Sequence, residues 1–357
     1  MLTNELVFFS LFLCFVGAML ALDLGIFSKK SHAVSFKEAA GWSAVWVMIA
    51  MLFSLFLRSY GHLIHGIVGP QHLEQIRLAM HSQETFEIGN WHENLQMYRN
   101  TLSQEFLAGY IMEYALSVDN IFVMILIFNS FGVIDKYHKK ILFWGVLGAI
   151  VFRFTFIFLG AALLHRFEWI MYLFGAFLLY TGIKMVLTDS DDNEQIDTQK
   201  HPIIKMASKY LNVFPRTVKD YFFIRSKGLL MVTPLFLVLI IIEVTDLVFA
   251  VDSVPAVFAI TKDPYVVFFS NIFAIMGLRS MFFFLANVMH LFHFLKFGLS
   301  LVLVYIGLKM CLHPWLAKLH INATTSLVII SSILMLSVAA SLLWPQKAAE
   351  VESPKVN

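Results

Sequence analysis

Residues Glu105 to Phe128 read EFLAGYIMEYALSVDNIFVMILIF. The stretch is apolar enough to lie in a bilayer, yet it carries Glu113, Asp119 and Asn120 near its middle. A second stretch, Ile240 to Ile260, repeats the arrangement as IIIEVTDLVFAVDSVPAVFAI, with Glu243, Asp246, Asp252 and Ser253. With Val118-Asp119-Asn120 aligned on Val251-Asp252-Ser253, each has a carboxylate six residues before its aspartate: Glu113 in one, Asp246 in the other. A carboxylate at the centre of a bilayer costs about 2.5–3.5 kcal/mol on insertion scales. Groups that costly persist when they face one another, water or a cation.

The rest of the chain has the same character. Hydrophobic residues make up 59% of its 357 and charged residues only 14%, which excludes an ordinary soluble domain. Net charge is +2, and the two cysteines, Cys14 and Cys311, support neither a disulfide framework nor a thiolate cluster. The opening MLTNELVFFS has no basic n-region, so it reads as a retained first span and not a cleaved signal peptide. Nine segments are long enough to span, at about 5–27, 39–57, 106–131, 139–164, 167–187, 229–251, 265–288, 292–312 and 322–344. The fold class that follows is an all-α polytopic membrane protein. With the N-terminus outside, 17 Lys and Arg fall in inside connections and 7 in outside ones; Arg153 and Arg279 lie within spans. That split predicts an outside N-terminus and an inside C-terminus.

Spans three to five and six to eight repeat internally. Asp119 matches Asp252, 133 residues on, and Arg153 matches Arg279, 126 on. His165 matches His290, and LLYTGIKM matches LVYIGLKM, both 125 on. Three spans is an odd number, so the copies face opposite ways across the membrane, as in secondary transporters with a site at the midplane. The expected organisation is two N-terminal helices and a His-rich outside loop over 1–104, repeat 1 over 105–187, an inside linker over 188–228, repeat 2 over 229–312, and a ninth helix and tail over 313–357.

The connections carry less. Residues 58–104 hold His62, His65, His72, His81 and His92; the spacing of His62 and His65 suits one helix face, the other spacings match no metal motif, and Leu73, Ile76 and Met80 predict a short amphipathic helix. A solvated helical loop is expected over a metal-collecting one. In 188–228 an acidic run precedes a basic one, and residues 203–210 suit either a helix lying on the inner surface or a solvated linker. Asp23, near the inner end of span one, reads equally as interfacial and as functional.

The chemistry sits at the repeated motif. On an unbroken helix Glu113 and Asp119 stand about 120° apart. Either the helix is locally unwound, or each carboxylate faces a different neighbour. Pro255 predicts a break in span six. Ser117, Asn120, Thr245 and Ser253 add oxygens, and the all-oxygen set suits a hard divalent ion: Mg, Ca or Mn. A thioether from Met112 or Met124 would bias the site toward Mn; packing is the commoner role. Arg153 and Arg279 serve either as permanent neutralisers of a buried lattice or as a switch that pairs with a carboxylate once the cation has left.

The sequence resembles the TerC/Alx family of bacterial integral membrane proteins over nearly its whole length. The resemblance rests on ALDLGIF, KEAAGWSAVWV, EFLAGYIMEYALSVDNIFV, LFWGVLGAIVFR, LYTGIKM, TPLFLVLIIIEVTDLVFAVDSVPAVFAITKDP and SNIFAIMGLR. It implies a fold of two inverted three-helix repeats, an inner-membrane location, and export of Mn(II) through acidic residues at the positions of Glu113, Asp119, Asp246 and Asp252. Connection 58–104 departs from the family in length and histidine content, so no role is carried over to it.

The expected function is a transporter exporting a divalent cation, with protons as a candidate counter-ion, the bilayer as surroundings, and no nucleic-acid partner. Glu113, Asp119, Asn120, Glu243, Asp246, Asp252 and Ser253 form the expected cation site, and Arg153 and Arg279 its charge partners. No resident cofactor is expected. The alternative is an accessory membrane protein that delivers metal to exported proteins or assists the secretion machinery. With no nucleophile, Gly-Asp protease motif or cofactor fingerprint, an enzyme is not expected.

Overall fold

The computed structural model describes residues 2–28, 35–80, 90–167, 169–187, 213–214, 221–226, 229–288, 294–312 and 323–344. Within them, the side chains of Asp23, Asp119, His165 and Asp252 are not described. The acidic run and 203–210 segment of the long connection lie outside these residues, as do His81, His290 and the tail.

Ten helices and one hairpin follow in order: α1 Leu2–Ser28, α2 Phe36–Tyr60, α3 Pro70–Met80, α4 Trp91–Ser130, α5 Asp135–Arg166, α6 Ile170–Leu187, β1 Phe223–Ser226, β2 Leu229–Val232, α7 Pro234–Phe258, α8 Pro264–Val288, α9 Leu295–Cys311 and α10 Ala323–Leu343. Local sequence sets several starts. Ser35 accepts from the Glu38 amide at 3.3 Å and Asn90 from the Glu93 amide at 3.4 Å, each the first half of a capping box. Pro234 opens α7, where its missing N–H costs nothing. Gly132 turns α4 into α5 at φ +57, a conformation glycine adopts without strain.

Among the described residues seven helices are long and apolar enough to cross a membrane: α1, α2, α4, α5, α7, α8 and α10. Nine segments were expected. The other two are α6 and α9, with 18 and 17 residues. At 1.5 Å per residue they reach about 26–27 Å, short of a hydrocarbon core of about 30 Å. The all-α polytopic class stands. Connection 58–104 is not a loop throughout: α3 sits where the amphipathic pattern placed it, but residues 91–104 are the first turns of α4. Outside the spans, the Arg77 guanidinium grips Glu74 at 2.6 and 2.9 Å and holds its carboxyl below the usual range, as on a solvated helix. The span expected from residue 229 starts at Pro234, because 229–232 pair with 223–226 as an antiparallel hairpin, Phe223 opposite Val232. The continuous apolar run hid that boundary.

Helix α8 is the central staff. Its sequence, PYVVFFSNIFAIMGLRSMFFFLANV, is apolar all round and nearly every side chain is buried. α2, α4, α5 and α7 surround it. Phe12 of α1 and Phe53 of α2 wedge against Phe269 and Phe273, with ring centroids at 4.3 Å for Phe12–Phe269 and 4.7 Å for Phe53–Phe273. α6 and α9 form a closer seam. A Cβ on Gly307 would lie 2.8 Å from the Gly175 carbonyl oxygen, and one on Gly182 would lie 3.0 Å from that of Ser300. The Ser300 hydroxyl donates to the Gly182 carbonyl. The offset of 125 maps Gly175 on Ser300 and Gly182 on Gly307, so the two contacts exchange into each other. α4 against α8 and α5 against α7 form another exchanged pair.

The bundle has two ends. The upper end holds the turn after α2 (Gly61–Leu63) and the α7–α8 turn; the lower end holds the α4–α5 turn.

Candidate functional site

Arg153 of α5 lies at the meeting point of four helices, fully buried. Its Nη1 donates to Glu113 Oε1 of α4, to Asn271 Oδ1 of α8 at 2.7 Å, and at 3.5 Å to Ser253 Oγ of α7. Its Nη2 donates to Asp246 Oδ1 of α7 at 3.3 Å. Glu113 is fully buried and Asp246 is 4% exposed. The two carboxylates that the repeat makes equivalent therefore converge on one guanidinium. In a low-dielectric interior, an unpaired member of such a trio would carry an uncompensated charge.

The trio is not saturated. Glu113 Oε2, Asp246 Oδ2 and Arg153 Nε are buried with no hydrogen-bond partner among the described residues. Below them, Ser117 Oγ and Asn120 Nδ2 of α4 are likewise buried and unmatched. Glu113, Ser117 and Asn120 stand at i, i+4 and i+7, one stripe of α4. Glu243 lies one turn below Asp246 on α7. Its carboxylate occupies the space where a Cβ on Gly148 of α5 would sit, and its Oε2 has no partner. A cavity with room for about one water reaches Asp246 from this side, lined by Met124, Leu142, Gly145, Val146 and Leu278 among others.

Of the nine residues the sequence singled out, the structure gathers Glu113, Asp246, Ser253 and Arg153 into one cluster. Asn120 and Glu243 line its lower side. Asp119 and Asp252 take their places in α4 and α7, but their side chains lie outside the described atoms. Arg279 is buried on α8, within electrostatic reach of Lys139, and is not among the ligands of Glu113 or Asp246 described above. Among the described residues no group of three or more His, Cys, Asp and Glu is arranged to hold a metal ion. The guanidinium occupies the point on which Glu113 and Asp246 converge.

Three local expectations are corrected. α7 runs unbroken through Asp252 and Pro255, although Pro255 has no amide to offer the Val251 carbonyl. Neither α4 nor α7 is unwound at the motif, and Glu113 and Asp246 share one neighbour, Arg153; the side chains of Asp119 and Asp252 lie outside the described atoms. Thr245 donates to the Ile241 carbonyl of its own helix at 2.7 Å and adds no oxygen to the cluster. His62 and His65 share no helix face: His62 accepts from the Arg99 guanidinium at 3.1 Å, and His65 lies 2.7 Å from the Tyr98 hydroxyl.

Asn271 was not singled out. An asparagine within SNIFAIMGLR is a signal in itself, but the offset of 126 that pairs the arginines maps it on Gly145, so the repeat gave no reason to select it.

A multi-helix bundle with a buried carboxylate–arginine centre is an integral membrane protein of the kind whose function lies between its helices. The profile of the integral membrane protein TerC family matches residues 98–349, and the chain belongs to that family. Relatives match over nine-tenths or more of their length. An "Uncharacterized membrane protein STKORF319" of Myxococcus xanthus is 39% identical, covering 97% of this chain and 95% of its own. The Escherichia coli (strain K12) protein named "Putative membrane-bound redox modulator Alx" is 39% identical over 90% of each chain. An "Uncharacterized membrane protein" of Rickettsia bellii is 36% identical over 93% of this chain and 96% of its own. No solved structure matches the chain.

Proposed function

We propose that this protein is a transporter that exports a divalent metal cation, with Arg153 standing in the cation's place in the state described. One observation carries the reading: Glu113 and Asp246, from the two repeated motifs, share a single buried guanidinium, and each keeps a carboxylate oxygen unmatched. A centre built only for stability would gain from apolar residues at these positions. A centre that exchanges a fixed cation for a mobile one needs carboxylates held ready on both sides. The cavity that reaches Asp246 from below supports entry from the lower end.

Orientation follows the Lys/Arg split: lower end inside, upper end outside, in the bacterial inner membrane. The exchanged contacts of α4–α8 with α5–α7, and those within the α6–α9 seam, support two inverted repeats. Oxygen donors point to a hard ion, and the TerC resemblance narrows it to Mn(II). Asp119, Asp252 and Ser253 complete the proposed ligand set, and protons are the proposed counter-ion. The name of the Alx relatives suggests redox chemistry, but Cys14 and Cys311 are both free and sit on different helices, so a dithiol has no part in this reading.

The test is transport into liposomes that contain only this protein, with Mn(II), Mg(II), Ca(II) and Zn(II) offered separately. Flux of Mn(II) that disappears in Glu113→Gln and Asp246→Asn, with protein still in the membrane, supports the reading. A purified protein that moves none of the four ions overturns it and leaves the accessory role.

A further inference from the structure

Arg153 has a counterpart in the second repeat, Arg279 of α8, and the surroundings of Arg153 have a counterpart too. Arg153 makes its two shortest contacts to Glu113 and Asn271. Carried across the repeat, at the offsets of 133 and 126, these positions become Asp246 and Gly145. Asp246 and Gly145 both line the cavity below the carboxylate–arginine centre. Ser253, a further contact of Arg153, becomes Asn120, whose Nδ2 is buried and unmatched among the described residues. The setting of the upper arginine is therefore laid out a second time below it, with a cavity in the place of the guanidinium.

Arg279 stands at the edge of that cavity. Ile275 and Leu278 of α8 line it, and Arg279 follows Leu278 and lies one turn below Ile275 on the same face. α8 runs downward from the α7–α8 turn, so the Cα–Cβ bond of Arg279 inclines up, toward Ile275. α7 runs upward, so the Cα–Cβ bond of Asp246 inclines down, toward the same space. Asp246 Oδ2 and Glu113 Oε2 are both buried with no hydrogen-bond partner among the described residues. Gly145 leaves room: a Cβ there would meet only Ile242 Cγ2, at an ordinary 3.5 Å. In the state described Arg279 is engaged lower down, within electrostatic reach of Lys139. A guanidinium that moved up to Asp246 would exchange a like charge for an opposite one.

The upper half offers no such space. A Cβ on Gly109 of α4 would lie 2.8 Å from Ser270 Oγ and 3.0 Å from Val257 Cγ1, so α4, α7 and α8 are in contact there. Above that contact Thr261 donates to Glu105 of α4 at 2.7 Å, and Asp263 is fully buried in the α7–α8 turn. The bundle is thus shut above Arg153, and its cavity lies below. For two inverted repeats, an arrangement shut above implies a second one, with the roles of the repeats exchanged, that is shut below.

We infer that Arg279 is the second charge partner of the cation site: in the upper-facing protein its guanidinium enters the cavity beside Gly145 and pairs with Asp246, as Arg153 pairs with Glu113 in the lower-facing one. The inference rests on the export reading and on the inverted repeats proposed with it. Its consequence is that the carboxylates meet a cation on either side. An ion arriving from below displaces Arg153, and the same ion is displaced above by Arg279. The lower-facing arrangement is the resting one, so Arg279 does not make good a loss of Arg153 there.

The experiment uses the full chain, in detergent for binding and in liposomes for flux, with Mn(II) as the probe. Arg279 takes no part in the resting empty site or in the loaded one, so Arg279→Met binds Mn(II) with the wild-type Kd. Release on the upper side has lost its displacing charge, so export at saturating Mn(II) falls by up to roughly 10²–10³-fold, the factor that loss of one partner of a buried pair carries. Arg279→Lys restores part of the rate, because it supplies the charge without the fork, and Arg279→Gln does not. A packing defect would lower binding together with flux and would not respond to the charge at 279. If the Arg279 variants fail to accumulate, Gly145 decides. Asn and Leu have the same branched shape, but Asn offers the guanidinium the acceptor that Asn271 gives Arg153. Gly145→Asn keeps export, and Gly145→Leu loses it while still binding Mn(II). Wild-type export by Arg279→Met, a loss of binding that parallels the loss of flux, a rate that Lys does not raise above Gln, or equal export by the two Gly145 variants overturns the inference and leaves the export reading standing. A wild-type protein that moves no Mn(II) overturns both, and the wild-type arm alone shows it.

Discussion

Replacing Arg153 by methionine keeps an unbranched stem, shorter by the guanidinium end, and removes its charge. In the cation-free protein Glu113 and Asp246 then stand buried with no counter-charge, and Asn271 Oδ1 loses its 2.7 Å donor. Removing one partner of a buried ion pair costs about 3–5 kcal/mol. A bound divalent cation restores the missing charge, so that penalty applies to the empty protein and not to the loaded one. The same free energy appears as affinity, at about a factor of ten for each 1.4 kcal/mol, so the variant should bind Mn(II) roughly 10²–10³ times more tightly than wild type. Its melting midpoint should fall in cation-free buffer and recover on addition of Mn(II), as ligand binding to the native state requires. Export should fall, because no guanidinium remains to displace the ion. Arg153→Lys should restore part of the wild-type behaviour: it supplies the charge but not a planar fork that reaches both carboxylates. Equilibrium binding in detergent and thermal unfolding measure the two effects. An Arg153→Met protein that binds Mn(II) no more tightly than wild type would refute the exchange and leave the arginine a permanent neutraliser.

Gly148→Ala places a methyl in the space of the Glu243 carboxylate, and overpacking of this kind costs about 1–3 kcal/mol; Glu243→Ala in the same chain should recover the lost melting midpoint, which tests whether the two positions are coupled. Asn271→Leu removes one acceptor from Arg153 at a cost of about 1–3 kcal/mol, so the midpoint should fall while Mn(II) affinity rises, a pair of signs that loss of packing alone does not produce. Asp119→Asn with Asp252→Asn keeps size and removes charge, so the double variant should reach the membrane at wild-type levels and export nothing; wild-type flux would remove both from the ligand set. Reporter fusions at residues 80, 210 and 357 should read outside, inside and inside, and an inside signal at 80 would reverse the assignment of the upper end.

The sequence was most informative where a rule has few exceptions. Carboxylates inside apolar spans marked α4 and α7 as the centre, and the internal repeat selected Glu113, Asp246 and Arg153, which do meet. It failed where the repeat is broken. Asn271 aligns with Gly145 and Glu105 with Val238, so a search for matched polar residues passes over both. Asp263 and Thr261 also lie in a turn, ITKDP, that hydropathy treats as a connection, although both are buried. The boundaries of α4 and α7 were missed for another reason. Residues 91–104 are polar on the page and helical in the fold because Tyr98 and Leu102 are buried within the bundle. Residues 229–232 are apolar on the page and strand in the fold because residues 223–226 offer them an edge.

Packing separates the parts of the bundle that can rearrange from those that cannot. Along the α6–α9 seam, glycines bring backbone against backbone, and contacts of that kind have no side-chain rotamers through which to relax. The exchange of contacts across Gly175, Gly182, Ser300 and Gly307 means that the seam looks alike from either repeat, so neither end of it favours one direction of opening. Around Arg153 the four helices meet through the ends of side chains, with unmatched oxygens and a cavity beside them. The proposed exchange calls for a second arrangement here, with the guanidinium withdrawn and a cation in its place. If the proposed exchange takes place, the movement is expected on α4, α5, α7 and α8, with the α6–α9 seam as the fixed frame.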